Sequence, residues 1–413
     1  MWHRRKRACA AFVLGVLAAT SAATLGAAGA QAQQPAPQPA EMRELEARVA
    51  ALFERSCTQS GCHAGPAPQQ GMDLSRARFF ASIVDEPSRE VPSLMRVRPG
   101  RPDSSYLVMK LRGDPGIVGV PMPMVGEKLS AEEVETVEAW IRGLAEVDVA
   151  ARRQEAARAP AYPFAGWKAV NLPTTRSVSA GSWLFLISHR FNPKLNDGYE
   201  AFFGLDGSGI VLLTLGYAPT DALLVSLGRS NAADDVELQA RYLLAEQSVR
   251  WPVAAAAHAT LNWITEERPG RSRSADEVLK LAAQLSLARE LSDGLGVAVV
   301  PGVLLNPAED VAGEPLLVTV GLAARWRFAG RLSLVGEWVP IVSGYTRTTT
   351  FGNDNRFDAW GGGLEIATGG HVFQIVLTNS VGLATDQYLR GGDLDLRDRH
   401  VRLGFNIFRV LNF

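Results

Sequence analysis

The sequence predicts a multidomain protein in which a small all-α domain is followed by an antiparallel transmembrane β-barrel of about twelve strands. Three observations lead to this prediction. Apolar residues recur at helical spacing in residues 42–53 and again in residues 134–144. From Val178 onward the apolar residues recur at every second position instead. The segments with this second period are joined by alternately short and long connections, which is typical of membrane barrels.

The first 32 residues have the pattern of an export signal. A basic start, MWHRRKR, precedes an apolar stretch from Ala8 to about Leu25, and Ala30-Gln31-Ala32 forms a cleavage pattern. An uncleaved anchor helix is the alternative, because the apolar part is somewhat long. Cys9 lies in this segment, so a cleaved chain keeps only two of the 3 cysteines. Residues 33–41 are polar and Pro-rich and are predicted to be a tether.

Residues 42–148 are predicted to form the small α-domain. Its first helix begins near Glu41, and its last begins at Ser130, where Ser130 and Glu133 form a capping box. Residues 69–128 are rich in Pro and Gly, yet apolar residues keep returning, which favours a chain wrapped around something buried. Residues 149–172 are rich in Ala, Arg and Pro and are predicted to be a linker, with a first part that continues the helix.

The motif from Cys57 to His63, CTQSGCH, directly follows the first helix. Two thiols beside an imidazole are the groups that attach a haem covalently, usually with the spacing C-x-x-C-H. A disulfide, a redox-active dithiol and a zinc site are the alternatives. A zinc site would need further ligands, and no additional Cys or nearby His exists. We therefore expect one haem c, bound to Cys57 and Cys62, with His63 as an iron ligand.

The second iron ligand is expected to be a methionine, because no other His lies between the motif and the last helix. Prolines on both sides of Met122 stiffen its loop, and Met124 is the competing candidate. Ligation by Met and His raises the reduction potential of a haem.

Residues 42–148 resemble a monohaem class I cytochrome c with a widened C-x4-C-H motif. The resemblance rests on the helix that ends in this motif, on Met122-Pro123, and on the segments Val97-x-Pro99-Gly100-x-Pro102-x-x-Ser105-x-Leu107 and Ala139-Trp140-Ile141. In that family the Met of the Met-Pro pair is the distal ligand, which implies Met122. The resemblance also implies transfer of single electrons.

Residues 173–413 are predicted to form the membrane barrel, and twelve segments between residues 181 and 413 have the strand pattern. In the last of these, one parity is apolar (Val401, Leu403, Phe405, Ile407) and the other is largely polar (Arg402, Gly404, Asn406). This pattern suits lipid outside and a polar lumen inside. A soluble β-sandwich is the alternative.

Longer loops follow predicted strands 1, 5, 7, 9 and 11, so the other end of the barrel has the short turns. Because the strand count is even, both chain termini of the barrel domain would lie on this short-turn, periplasmic side. The region resembles the porin-like barrel domains of unknown function that sometimes follow such cytochromes. Its scattered histidines, His189, His258, His371 and His400, are expected to be single polar residues that face the lumen.

The net charge and the motifs of the chain narrow the possible classes of function. A formal net charge of -1 gives no basic field for nucleic acid, and no motif supports catalysis by side chains. We expect an exported electron carrier, not an enzyme, in the cell outer membrane, with its haem domain and redox partner in the periplasm. Two alternatives stay open: an outer-membrane pore or transport protein with a haem sensor or docking module, and a redox enzyme subunit that uses the haem as its electron entry.

Overall fold

The computed structural model describes residues 40–59, 62–64, 68–76, 78–157, 163–248, 251–267, 272, 278–292, 294–307, 316–344, 349–350, 353–354, 357–368 and 370–411. The predicted signal segment and most of the tether lie outside this part of the chain. None of the helices in these ranges is both long enough and apolar enough to cross a membrane.

The N-terminal part is built from helices. They are α1 (Ala40–Ser56), α2 (Phe79–Ile83), α3 (Tyr106–Arg112), α4 (Ala131–Gly143) and α5 (Val149–Ala157), with 3-10 turns at Gln69–Gly71, Pro102–Ser104 and Leu144–Glu146. The predicted capping box starts α4, because Glu133 N–H donates to Ser130 Oγ at 3.3 Å and Ser130 N–H donates to Glu133 Oε2 at 2.8 Å. The helix therefore begins where the sequence predicted.

The core of this part forms where α1 packs on α4. The apolar stripe of α1 buries Val49 and Phe53 against Val137, Trp140 and Ile141 of α4. The Trp140 ring also lies 5.5 Å from Phe79 and 6.4 Å from Phe80 of α2, measured between ring centroids. These contacts hold the end of α1, and the turn that follows it, against the rest of the helices.

The C-terminal part is a closed antiparallel barrel of twelve strands, as predicted. The strands are β1 (Trp183–Phe191), β2 (Gly209–Tyr217), β3 (Leu223–Ser230), β4 (Asp235–Ala245), β5 (Ala254–Ile264), β6 (Leu279–Ser292), β7 (Leu295–Leu305), β8 (Leu316–Ala329), β9 (Leu332–Val339), β10 (Ala359–Ala367), β11 (His371–Thr378) and β12 (Arg402–Leu411). Each strand pairs with its neighbour in sequence, and β1 pairs with β12 to close the ring. The soluble sandwich is therefore excluded.

Short strands, helices and 3-10 turns lie in the loops at one end of the barrel. Ile341–Ser343 extends β9 and pairs with β8, and Thr349–Thr350 pairs with Asn353–Asp354. A 3-10 segment, Leu195–Gly204, follows β1, and the connection from β11 to β12 contains the helix α6 (Thr385–Leu389) and the 3-10 turn Leu396–Asp398. The opposite end has short turns such as Gly330-Arg331. The predicted asymmetry is present, although residues 231–234 form one short turn at the long-loop end.

Side chains alternate across the barrel wall. Along β12, Arg402, Gly404 and Asn406 are buried on the lumen side, and the residues between them face outward. The outer face is apolar, with exposed leucines such as Leu213 and Leu227. Exposed aromatic residues lie near both rims: Tyr217, Tyr242 and Trp326 at the short-turn end, and Trp263 and Trp338 at the other. This band between two aromatic belts is the pattern of a barrel in a bilayer.

The expectation that all barrel histidines face the lumen is wrong for two of them. His258 is 3% exposed and lies inside the barrel. His189 and His371 have the outward parity of β1 and β11, where their rings stack on Phe405 and Phe373. A single residue of register decides the face, because successive side chains of a strand point to opposite sides.

Candidate functional site

The described residues of the CTQSGCH motif, 57–59 and 62–63, lie at the end of α1. The N–H groups of Cys57 and Thr58 both donate to the carbonyl of Phe53, so the helix ends there. His63 N–H donates to the carbonyl of Cys57 at 3.0 Å, and Cys62 N–H donates to that of Gln59 at 2.9 Å. The backbone of Cys62 and His63 therefore returns to the end of α1 beside Cys57, despite the widened spacing.

Both thiols are free, and they differ in environment. Burial raises the pKa of the Cys57 thiol to about 12, with a smaller contribution from Cys62 and an opposing one from Arg55. Burial also raises the pKa of the half-buried Cys62 thiol. The two groups are therefore neutral thiols at neutral pH.

His63 is oriented by the backbone. Its Nδ1 lies 3.2 Å from the carbonyl oxygen of Gln69, so Nδ1 carries the proton and donates. Burial lowers the pKa of the imidazole, although hydrogen bonds to the backbone of Gln69 and Met72 act in the opposite direction. The lowered pKa favours the neutral ring, in which Nε2 carries the lone pair. A neutral imidazole whose other nitrogen donates to a carbonyl is the usual state of a metal-binding histidine.

The loop that carries Met122 is held by two lysines. Met122 N–H donates to the carbonyl of Lys110 at 2.8 Å. The Lys128 ammonium donates to the carbonyls of Pro121 and Pro123, on both sides of Met122. Lys110 is buried, and its ammonium donates to the carbonyl of Val118 at 2.7 Å. These contacts fix the loop from outside the motif, and sequence reasoning did not identify either lysine.

A second network supports the same loop. Glu90 accepts a hydrogen bond from the Tyr106 hydroxyl at 2.8 Å and pairs with Lys110 at 3.1 Å. The Tyr106 hydroxyl in turn accepts from Val118 N–H at 2.9 Å. Met122 is half-buried, whereas the Met124 side chain is 68% exposed. The two candidate methionines therefore differ clearly in burial.

The motif turn and the Met loop border a common cavity of about 450 Å³. Arg55, Ser56 and Gln59 line one side, and residues 125–128 line the other. Arg55 is tied to α4 by an ion pair with Glu133 at 2.5 Å. The loop after Met122 therefore lies beside the end of α1, but none of Cys57, Cys62, His63 and Met122 lines this cavity. In the part of the chain that the structure describes, no group of three His, Cys, Asp or Glu residues forms a metal site of its own.

The barrel lumen contains a segment that the sequence predicted as linker. Residues 149–157 of that predicted linker form α5, but its last part enters the lumen. We call residues 163–176 the lumen hairpin: residues 163–175 are all buried, and Ala169 N–H donates to the carbonyl of Leu172 across its tip. The hairpin enters at the short-turn end, since Pro163 lies against Gly296 at the start of β7. It returns to the same end to begin β1.

Side chains of the barrel wall form hydrogen bonds with the tip of the hairpin. The N–H groups of Val170, Asn171 and Leu172 all donate to Glu337 Oε2 of β9, at 2.9, 2.8 and 2.8 Å. Asn406 donates from Nδ2 to the carbonyl of Val170 at 2.9 Å, and Arg190 donates to Asn171 Oδ1 at 3.1 Å. One buried carboxylate therefore satisfies three backbone donors that the lumen would otherwise leave unpaired.

Glycines in the wall make room for the hairpin. A Cβ atom on Gly296 would lie 2.0 Å from the carbonyl oxygen of Pro163, and one on Gly361 would lie 2.9 Å from Val170 Cγ1. Real Cβ atoms do not approach this closely, so any larger residue at either position would displace the hairpin. Glycines of the barrel strands therefore provide the space in which the hairpin packs.

A second segment enters from the opposite end. We call residues 380–392 the loop insert; all are buried, and they include α6. Thr385 N–H donates to Glu237 Oε2 at 2.6 Å, and the Tyr388 hydroxyl donates to Gln284 Oε1 at 2.9 Å. The Lys168 ammonium of the lumen hairpin lies 3.5 Å from the carbonyl oxygen of Leu383. The two segments therefore meet inside the barrel.

Comparison with known proteins agrees with this architecture. The model of a family described as a membrane bound beta barrel domain (DUF5777) matches residues 164–411, which include the lumen hairpin. No curated protein matches the chain.

Several solved structures are similar at low identity. The KdgM porin is 10% identical, with a TM-score of 0.33 over 55% of this chain and 98% of the porin. An outer membrane channel from Pseudomonas putida F1 is 14% identical, with a TM-score of 0.35 over 57% of this chain and 97% of the channel. The outer membrane protein Omp33 of Acinetobacter baumannii is 9% identical, with a TM-score of 0.30 over 55% of this chain and 97% of that protein.

Proposed function

The chain belongs to the family of membrane-bound β-barrel domains, and from this premise we propose that it is an outer-membrane protein whose barrel anchors a c-type haem module for electron transfer. One observation carries the haem proposal: Cys57, Cys62 and His63 lie on one turn, and His63 Nδ1 donates to a backbone carbonyl. The outer-membrane proposal rests on the even strand count and on loops that are long at one end only.

The residues present fit a covalent haem. Cys57 and Cys62 would each add a thiol across one vinyl group, and His63 Nε2 and Met122 Sδ would ligate the iron. When bound, the haem supplies a centre for one-electron oxidation and reduction. The chain contributes the rest. Gln69 orients the imidazole, and Lys128 holds the carbonyls beside Met122. The redox partner belongs on the periplasmic side, with the module.

Covalent attachment is tested by haem retention. Wild-type protein, expressed with a haem c maturation system, should keep its pigment through acid-acetone extraction and on a denaturing gel. Cys62→Ala removes one of the two thioether positions, so retention should fall sharply. Cys9→Ala is the matched control, because that cysteine precedes the predicted cleavage position, and it should change nothing. Free extraction of the wild-type pigment would refute the proposal.

The distal ligand is tested by exchanging each candidate methionine. Met122→Leu should lower the reduction potential and allow carbon monoxide to bind the reduced form, since the sulfur ligand is gone. Met124→Leu should have neither effect, because that side chain is 68% exposed. If only Met124→Leu shows them, the two assignments must be exchanged.

If the barrel lies in a bilayer, the free-energy cost of a charged side chain should depend on its position on the outer face. Leu213 lies midway along β2 and is 49% exposed on the outer face. Leu213→Lys should cost roughly 2–4 kcal/mol of folding free energy in lipid vesicles, as at other membrane midplane positions. Leu396→Lys, in the long-loop region, should cost almost nothing. Equal costs for the two variants would argue against a bilayer around this strand.

A gated channel is a second candidate, favoured by one observation. The lumen is lined by charged residues such as Arg190, Lys280 and Glu337, and two inserted segments, rather than the wall, close it. Conductance in planar bilayers separates the candidates. A gated channel should conduct when Glu337→Ala is combined with deletion of residues 382–391, and much less as wild type. If the combined variant folds and does not conduct, the barrel is an anchor only.

A further inference from the structure

Among the described residues of the barrel lumen, Arg241 lacks the hydrogen bonds and ion pairs that five other cations have. Arg241 of β4 is 5% exposed, and its Nε and Nη2 atoms have no hydrogen-bond partner. Within the described ranges no carboxylate pairs with it. Five other lumen cations are engaged: Arg325 pairs with Glu365, Arg390 with Asp386 and Arg402 with Asp393, while Arg190 and Lys280 donate to amide or carbonyl oxygens.

The surroundings of Arg241 add positive charge nearby and do not compensate its own charge. Arg176, at the end of the lumen hairpin, is near enough for its charge to repel that of Arg241. His258 is directly opposite Arg241 in the register of β4 and β5. The next inward-facing acid along β4, Glu237, is four residues away, or about 13 Å along a strand. It already accepts from Thr385 N–H.

The three side chains are also held in place. The Arg176 guanidinium stacks 5.0 Å above the Trp167 ring. The Ser286 hydroxyl donates to the carbonyl of Pro173 at 2.7 Å, so it accepts from His258 Nε2 at 2.9 Å. His258 Nδ1 has no partner. The hairpin therefore brings one guanidinium to a site whose other members belong to the wall.

A buried and uncompensated guanidinium costs free energy, and a second one beside it raises the cost. Guanidinium groups bind oxyanions with paired, charge-assisted hydrogen bonds. We propose that an oxyanion, such as phosphate or the acidic group of a larger solute, binds in the lumen between Arg241 and Arg176, beside His258. This site does not depend on the haem, and it is completed only when the lumen hairpin is docked.

The test uses full-length protein in detergent micelles at constant ionic strength. Inorganic phosphate, exchanged for chloride, should raise the unfolding midpoint of the wild type. Arg241→Gln should weaken phosphate binding, measured by calorimetry, by about tenfold or more. In chloride alone this variant should be at least as stable as the wild type, because it removes the uncompensated charge. Glycerol phosphate in place of phosphate distinguishes a free ion from the acidic group of a larger solute.

Lys280→Gln is the matched control, since it removes another lumen charge that is already satisfied by the carbonyls of Asn306 and Pro307. It should retain the response to phosphate. Arg176→Gln provides a second route if Arg241→Gln fails to fold, and it should also weaken binding. The proposal is overturned if phosphate affects the wild type and the arginine variants equally, or if Lys280→Gln loses the response as well.

Discussion

Replacing Glu337 with alanine is expected to release the lumen hairpin from the barrel. One carboxylate oxygen accepts three backbone hydrogen bonds within 2.9 Å, and the residue is only 7% exposed. Removing one partner of a buried charged network costs about 3–5 kcal/mol. At about 1.4 kcal/mol per factor of ten, the released fraction should rise by roughly two to four orders of magnitude.

Thiol labelling at the hairpin tip measures this release. Val170 is fully buried, so a Val170→Cys reporter should react slowly with a maleimide in the otherwise wild-type protein and much faster with Glu337→Ala. Glu337→Gln keeps one acceptor oxygen and should lie between the two. Gly361→Ile should release the tip by a different route, because its side chain would occupy the space of Val170.

Glu365→Ala is the matched control for loss of a lumen carboxylate. Glu365 is 1% exposed, and its partners are Arg325 and Gln374 rather than the backbone of the hairpin. It should leave labelling near the wild-type rate while the barrel stays folded. Equal labelling of the Glu337 and Glu365 variants would mean that the three hydrogen bonds do not hold the hairpin.

Trp140→Ala is expected to unfold much of the helical module while the barrel remains intact. Trp140 is 0% exposed and lies among Phe79, Phe80 and the buried face of α1. Truncating a buried Trp typically costs 3–5 kcal/mol, which is a large part of the stability of a small domain. The motif turn depends on the end of α1, so covalent haem yield should fall with stability.

Denaturant titration followed by near-ultraviolet circular dichroism should show the loss of the helical transition. A folded barrel migrates differently from an unfolded one on an unheated gel. This shift reports independently on whether the barrel domain is folded. Val118→Ala, at a side chain that is 50% exposed, should change stability by less than about 0.5 kcal/mol. A Trp140→Ala protein with an unchanged helical transition would contradict the role given to this side chain.

The strands of the barrel were predictable because their signal is local. An apolar residue at every second position must face one side of a sheet, and twelve such segments gave the observed strand count. The α4 cap was predictable for the same reason, since Ser130 and Glu133 are three residues apart. The residues from Cys57 to His63 are also close together in sequence, so the haem chemistry that we propose for them could be inferred before the geometry was known.

The contents of the lumen were not predictable in this way. The lumen hairpin looks like a linker, and the loop insert looks like an exposed loop, because both lack a regular apolar period. Their burial depends on partners far away in sequence: Glu337 is 167 residues from Val170, and Asn406 is 236 residues from it. The sequence by itself determined the wall of the barrel, and it supplies the ligand set that we propose for the module. Only the tertiary structure decided what closes the barrel and which charge stays uncompensated, because those outcomes depend on strand register and on contacts that form after the ring has closed.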